Sequence, residues 1–72
     1  MRERTWLREM RDKRQLTQQQ VADLIRTTQQ HYSLIEKGER RPSPLLAKRI
    51  AALFGFDWTV FFDDEAAAEE SA

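Results

Sequence analysis

This sequence predicts an all-helical fold, and three observations carry the prediction. Apolar residues recur three or four positions apart along most of the first 62 residues, the spacing of one helix face. Ser, Thr or Asp stands ahead of each such run, where a side-chain oxygen can accept from the backbone N–H groups left open at a helix start. Two Gly and two Pro in 72 residues leave little scope for sheets with tight hairpins.

Five helices follow in order. The first is expected from about Trp6 to Arg14, capped by Thr5, with Trp6, Leu7, Met10 and the stem of Arg14 facing inward. The second spans about 18–25. Thr17, with Gln20 three residues on, forms a capping box, and Val21, Ala22 and Ile25 share one face. Thr27-Thr28 interrupts, and Thr28 caps a third helix at about 29–37. Tyr32 and Ile35 face inward there, and Gly38 ends the helix as the residue most easily placed in a left-handed conformation. After the basic loop Glu39-Arg40-Arg41-Pro42, Ser43 caps a fourth helix with Pro44 at its first position, where no intrahelical N–H is needed. Leu46, Ala47, Ile50, Leu53 and Phe54 give it a buried stripe, and Gly55 ends it. Asp57 is placed to cap a short fifth helix, Trp58 to Phe62.

Composition excludes several classes of function. There is room for one domain, read as residues 1–62, with a small core that dimerisation or tight packing would help. No Cys means no disulfide, no thiol chemistry and no Cys-based zinc site, in agreement with a reducing cytoplasm. No apolar run reaches a membrane-spanning length, and no signal-peptide core follows the charged start. One His and no apolar carboxylate cluster leave an enzyme almost no support, and no cofactor or small-molecule effector is expected. The formal net charge of zero conceals a split. Residues 1–56 carry twelve basic and six acidic side chains, a net +6, while residues 57–72 carry six acids and no base. Phosphates sense the local field, so the basic body suits double-stranded DNA despite the neutral total. The acidic segment 63–72 is read as a tail, either disordered or extending the fifth helix through its alanines.

The second and third helices are laid out as a helix-turn-helix, in which the later helix enters the major groove. Leu16-Thr17-Gln18, Val21-Ala22, Tyr32-Ser33, Ile35-Glu36-Lys37-Gly38 and Pro42-Ser43 also follow a known pattern. With Arg11, Ile50-Ala51 and Gly55, they make residues 4–62 resemble the Cro/C1-type (XRE) family of helix-turn-helix transcriptional regulators. The run Thr27-Thr28-Gln29-Gln30 looks like the recognition-helix start of certain lambdoid phage repressors. The resemblance implies a compact five-helix, lambda-repressor-like DNA-binding domain. It also implies that Gln18 contacts phosphate and braces the first recognition-helix Gln, and that Arg11 pairs with Glu36 in a structural role. One departure stands out: the family usually has Gly where this chain has Arg26, at a turn position that is commonly left-handed.

Candidate DNA-binding residues are Gln18, Thr28, Gln29, Gln30, His31, Ser33, Leu34, Lys37, Arg40 and Arg41. The amides of Gln29 and Gln30 offer a donor and an acceptor side by side, matching N6 and N7 of adenine. Ser33 suits a base or a phosphate. Leu34 is read either as packing on a thymine methyl or as covering the neighbouring helix. His31 is read as a polar DNA contact, and Lys37, Arg40 and Arg41 as phosphate contacts that fix register, with the minor groove as an alternative for Arg41. Arg2, Arg4, Arg8 and Lys13 are read as a solvated face. Trp58, Phe61 and Phe62, together with Phe54 and Phe56, exceed what one small core readily hides. Trp58, Phe61 and Phe62 are therefore assigned to a homodimer interface, with Leu24 and Leu45 as additions. The competing reading is a protein-interaction module, antitoxin-like or an anti-repressor partner, on the same fold.

Overall fold

A computed structural model describes residues 3–62, and the acidic tail at 63–72 lies outside the described residues. Four helices follow in chain order: α1 (Thr5–Lys13), α2 (Gln18–Leu24), α3 (Gln29–Lys37) and α4 (Pro44–Phe54). A fifth helical segment is entered at Asp57, and residues 60–62 are its described part. Its first turn closes through Val60 N–H to Asp57 O (3.1 Å), Phe61 N–H to Trp58 O (3.3 Å) and Phe62 N–H to Thr59 O (2.9 Å).

Three of the four helix starts form as the sequence dictates. Thr17 Oγ1 accepts from Gln20 N–H (3.1 Å) while Gln20 Oε1 accepts from Thr17 N–H (2.8 Å), a complete capping box. Thr28 Oγ1 accepts from His31 N–H at 3.1 Å, and Ser43 Oγ from Leu46 N–H at 3.2 Å. The start of α1 differs. Thr5 is the first helical residue, and Arg4 occupies the cap position without a side-chain cap bond. The reason is tertiary: Arg4 N–H is already engaged by Glu36 O at 2.8 Å, which fixes where the chain enters α1.

Each of α1 to α4 is followed by a left-handed residue. Gly38 (φ 79°) and Gly55 (φ 78°) do this without strain, whereas Gln15 (φ 55°) and Arg26 (φ 62°) carry side chains there. The gain is the same in each case, because the turn lets backbone N–H groups cap the last carbonyls. After α1, Leu16 N–H reaches Arg11 O; after α2, Thr27 N–H reaches Ala22 O (2.9 Å); after α3, Glu39 N–H reaches Leu34 O (3.0 Å). The left-handed Arg26 confirms the turn geometry that its departure from Gly put in question.

The core is one cluster. Leu7, Val21, Ala22, Ile25, Tyr32, Ile35, Leu46, Ala47, Ile50, Phe54 and Phe61 are buried, drawn from all four helices and the last turn. α3 packs on both α1 and α2, with Tyr32, Ile35 and Glu36 as its buried face. Trp6, Phe56 and Phe61 pack as a triad with ring centroids 5.3–5.8 Å apart. Phe61 is 0% exposed, so it has no surface to offer a partner, which corrects its assignment to an interface.

Candidate nucleic-acid interface

The residues singled out in the sequence lie on α3, at the start of α2 and on the loop that leaves α3. Because Tyr32, Ile35 and Glu36 point inward, the 3.6-residue period turns Gln30, Leu34 and Lys37 the other way and puts Ser33 at the border, whereas Gln29, two turns before Glu36, is open to solvent because it begins the helix. Gln29, Gln30 and Lys37 are exposed, and His31, Ser33 and Leu34 are half-buried. The half-burial of Leu34 fits a side chain that covers its neighbours while keeping part of its surface outward. Thr28 is exposed, and its hydroxyl is committed to capping α3 through the His31 N–H. Arg40 and Arg41 are exposed on the loop that leaves α3.

One ionic network holds the two helices of the motif at their angle. Arg11 Nε donates to Glu36 Oε2 at 2.7 Å, and its Nη2 reaches Glu36 Oε1 at 3.3 Å. Arg11 Nη1 also donates to Leu16 O (2.9 Å), in the loop that leads into α2. Gln18 Nε2 donates to Glu36 Oε1 at 3.2 Å. A single carboxylate on α3 thus receives donors from α1 and from the start of α2. The implied Arg11–Glu36 pair is present. The amide of Gln18 turns to Glu36, so its bond lies within this network and not with Gln29.

The electrostatics follow from that geometry. Burial disfavours the Glu36 charge, but the hydrogen bonds from Arg11 and Gln18, with the nearby Tyr32 hydroxyl, outweigh it and hold the carboxyl below its ordinary value. The hydrogen bond to Glu36 holds Arg11 above its ordinary value against the opposing effect of burial. Burial first, and then the adjacent carboxylate, pushes the Tyr32 phenol up. The Tyr32 hydroxyl reaches no partner at hydrogen-bond geometry among the described residues, so it acts on Glu36 as a neighbouring dipole. The carboxylate is consequently ionised, paired and turned away from the outward face, where it would repel phosphate.

Arginines that sequence reasoning left aside do much of the bracing. Arg4 is 3% exposed, not solvated: its Nη1 donates to Ile35 O at 2.7 Å and to Arg40 O at 3.0 Å. Arg49 Nη1 reaches Ile25 O at 3.4 Å, linking α4 to the turn between α2 and α3. Arg14 donates from Nη2 to Phe54 O (3.0 Å) and lies over the Phe54 ring. The one sequence signal for such placements is a surplus of aromatic rings, on which guanidinium groups stack. Trp58 and Phe62 are half-buried, stack edge to face at 5.5 Å, and Trp58 also carries Lys48 Nζ over its ring. Among the described residues Leu24 and Leu45 are the exposed large apolar side chains, each 59% accessible. Among the described residues no cluster of metal-ligating side chains occurs, and no helix is long and apolar enough to cross a membrane.

A capped, polar-faced α3 set across α2 and followed by a basic loop defines a helix-turn-helix protein. The helix-turn-helix family model matches residues 7–61, and the chain belongs to this family of DNA-binding transcriptional regulators. Among its relatives is the uncharacterized HTH-type transcriptional regulator YqaF of Bacillus subtilis (strain 168). It is 41% identical over 61 residues, which is 85% of this chain and 80% of that protein. An uncharacterized HTH-type transcriptional regulator of Methanothermobacter thermautotrophicus is 42% identical over 52 residues, 72% of this chain and 75% of that protein.

Proposed function

We propose that this chain is a sequence-specific repressor of phage or mobile-element type, cytoplasmic, which binds an inverted repeat as a homodimer through the major groove. The observation that carries the reading is the outward face of α3, where Gln29 and Gln30 stand exposed in the first turn. That is the part of a recognition helix that reaches base edges. Ser33 and Leu34 come one turn later, where they meet a base, a phosphate or a thymine methyl. Gln18, His31, Lys37, Arg40 and Arg41 supply backbone contacts that set register, and Thr28 contributes by capping the head of α3 beside the phosphates. The half-buried Trp58 and Phe62 form the centre of the two-fold contact, with Phe61 supporting them from inside the fold. Two recognition helices would then stand about 34 Å apart, one turn of the duplex.

Selection of bound sequences from a random duplex pool tests the whole reading. The expected product is an inverted repeat with half-sites one helical turn apart. Gln29→Ala should lose about 1–3 kcal/mol on the selected site and relax preference at one base pair. Equal loss on selected and random duplexes would remove Gln29 from the reading set. Enrichment of no sequence, with affinity indifferent to salt, would favour the protein-interaction module. In that case the Trp58–Phe62 surface and the exposed Leu24 and Leu45 become the functional face.

A further inference from the structure

Arg4 lies before residues 7–61, which the family model matches, yet it contacts three separate parts of the fold. Its backbone N–H donates to Glu36 O (2.8 Å) and its Nη1 to Ile35 O (2.7 Å), two carbonyls of the last turn of α3. Ile35 O also accepts from the capping Gly38 N–H (3.1 Å), so Arg4 adds a second bond there, and a cation at this end complements the negative end of the helix dipole. The same Nη1 donates to Arg40 O (3.0 Å), beyond the helix and inside the basic loop. The guanidinium carbon sits 5.4 Å from the centroid of Phe61, which is 0% exposed and packs on Trp6 and Phe56. A buried guanidinium is tolerated only where hydrogen bonds replace its water. An exposed arginine at this end of the chain would have served as well for charge alone.

We propose that Arg4 is a positioning residue for DNA recognition. It fixes the end of the recognition helix and the Arg40–Arg41 loop, and it ties both to the C-terminal aromatic turn through Phe61. Arg40 and Arg41 carry long side chains, so their reach to phosphate depends on where the loop backbone is held. Arg4 holds that backbone at the Arg40 carbonyl. Nη1 alone donates to both carbonyls while the guanidinium carbon stands over the Phe61 ring, so the delocalised group serves carbonyls and ring at once; a lysine ammonium, a point charge on one nitrogen, can bond the carbonyls or approach the ring but not both. The inference rests on the DNA-binding reading above. It adds that the aromatic turn and the phosphate-contacting loop are energetically coupled through this one side chain.

The test compares wild type, Arg4→Met, Arg4→Lys, Phe61→Leu and the Arg4→Met/Phe61→Leu double variant. Each is confirmed folded by circular dichroism and assayed well below its unfolding midpoint. Two probes are used: a duplex enriched by the wild type from a random pool, and a random-sequence duplex of equal length. Affinity is measured between 50 and 200 mM salt. Each phosphate contact contributes about 0.9 to the log–log slope, so losing one or two shrinks the salt effect by about 3.5-fold or 12-fold over this range. Arg4→Met is expected to show that shallower slope on both probes while the order of base preferences is kept. Arg4→Lys is expected not to restore the slope. If Arg4→Met does not fold, Arg4→Lys alone carries the comparison. The double variant should lose less than the product of its single variants, because either change opens the same link. A folded Arg4→Met with wild-type slope, a Lys variant equal to wild type, or full additivity overturns the inference. A wild type with no salt-dependent binding to either probe overturns the DNA-binding reading itself, and the inference with it, before any variant is compared.

Discussion

Residues 17–38 and residues 54–62 border the same small core, yet they are assembled differently. The first stretch is built from directional bonds: a capping box at Thr17, a cap at Thr28, left-handed closures at Arg26 and Gly38, and a carboxylate at Glu36 with donors from two other segments. The second is built from volume. Phe54 and Phe61 fill the core, Trp6 and Phe56 pack around Phe61, and the bonds of the turn itself are a few short-range ones from Asp57, Trp58 and Thr59. The contrast matters because directional bonds set angles, which a reading head requires, whereas ring packing sets depth and tolerates rotation. Arg4 touches both stretches, with hydrogen bonds on one side and a ring on the other.

The largest expected effect falls on the volume side. Phe61→Ala should lower unfolding stability by about 3–5 kcal/mol, read from the denaturant midpoint, since it empties a fully buried site shared by three rings. A loss under about 1 kcal/mol would mean that the aromatic turn is not part of the cooperative core.

Next comes the network. Arg11→Met should cost about 3 kcal/mol, because it leaves the Glu36 carboxylate, 4% exposed, without its main partner. The same pair predicts the pH response. Glu36 titrates below its ordinary value in the folded chain, so its contribution is complete above about pH 4.3 and is lost as pH falls through the lower folded value. Acid titration of the wild type and of Glu36→Gln should differ in that window. Parallel curves would show that Glu36 does not govern the acid limb.

A smaller loss tests the caps. Thr28→Ala should remove about 1 kcal/mol by freeing the His31 N–H at the head of the recognition helix. The smallest change runs in the opposite direction. Arg26 holds φ 62°, a conformation that a side chain disfavours by about 1–2 kcal/mol. Arg26→Gly should therefore raise the thermal midpoint modestly, the relief being partly offset by the greater freedom of Gly in the unfolded chain. A lower midpoint would show that the Arg26 side chain contributes more through its contacts than its backbone strain costs.

The helices themselves were legible in the sequence because their signals are local. Thr17 with Gln20, Thr28, Ser43 with Pro44, and the two glycines each act within a few residues of their own position, and the structure places every one of them as expected. The inward period of Tyr32 and Ile35 likewise dictated which side of α3 faces out. Three features were not legible for the opposite reason. Arg4 bonds residues 31 and 36 positions away, and nothing near it in the chain marks it as buried. Phe61 was indistinguishable from Phe62 by composition, and only the docking of the last turn put one inside and left the other half-buried. Gln15 takes a left-handed conformation that its residue type disfavours, where the chain turns out of α1 and Leu16 N–H closes on Arg11 O. Caps, periods and breakers are written in short-range hydrogen bonding and sterics, so the sequence by itself determined the helices, the starts of α2, α3 and α4 and the polar face of α3. The partner of a long side chain, and which of two adjacent rings is buried, depend on segments that meet only after folding, so the tertiary structure alone decided them.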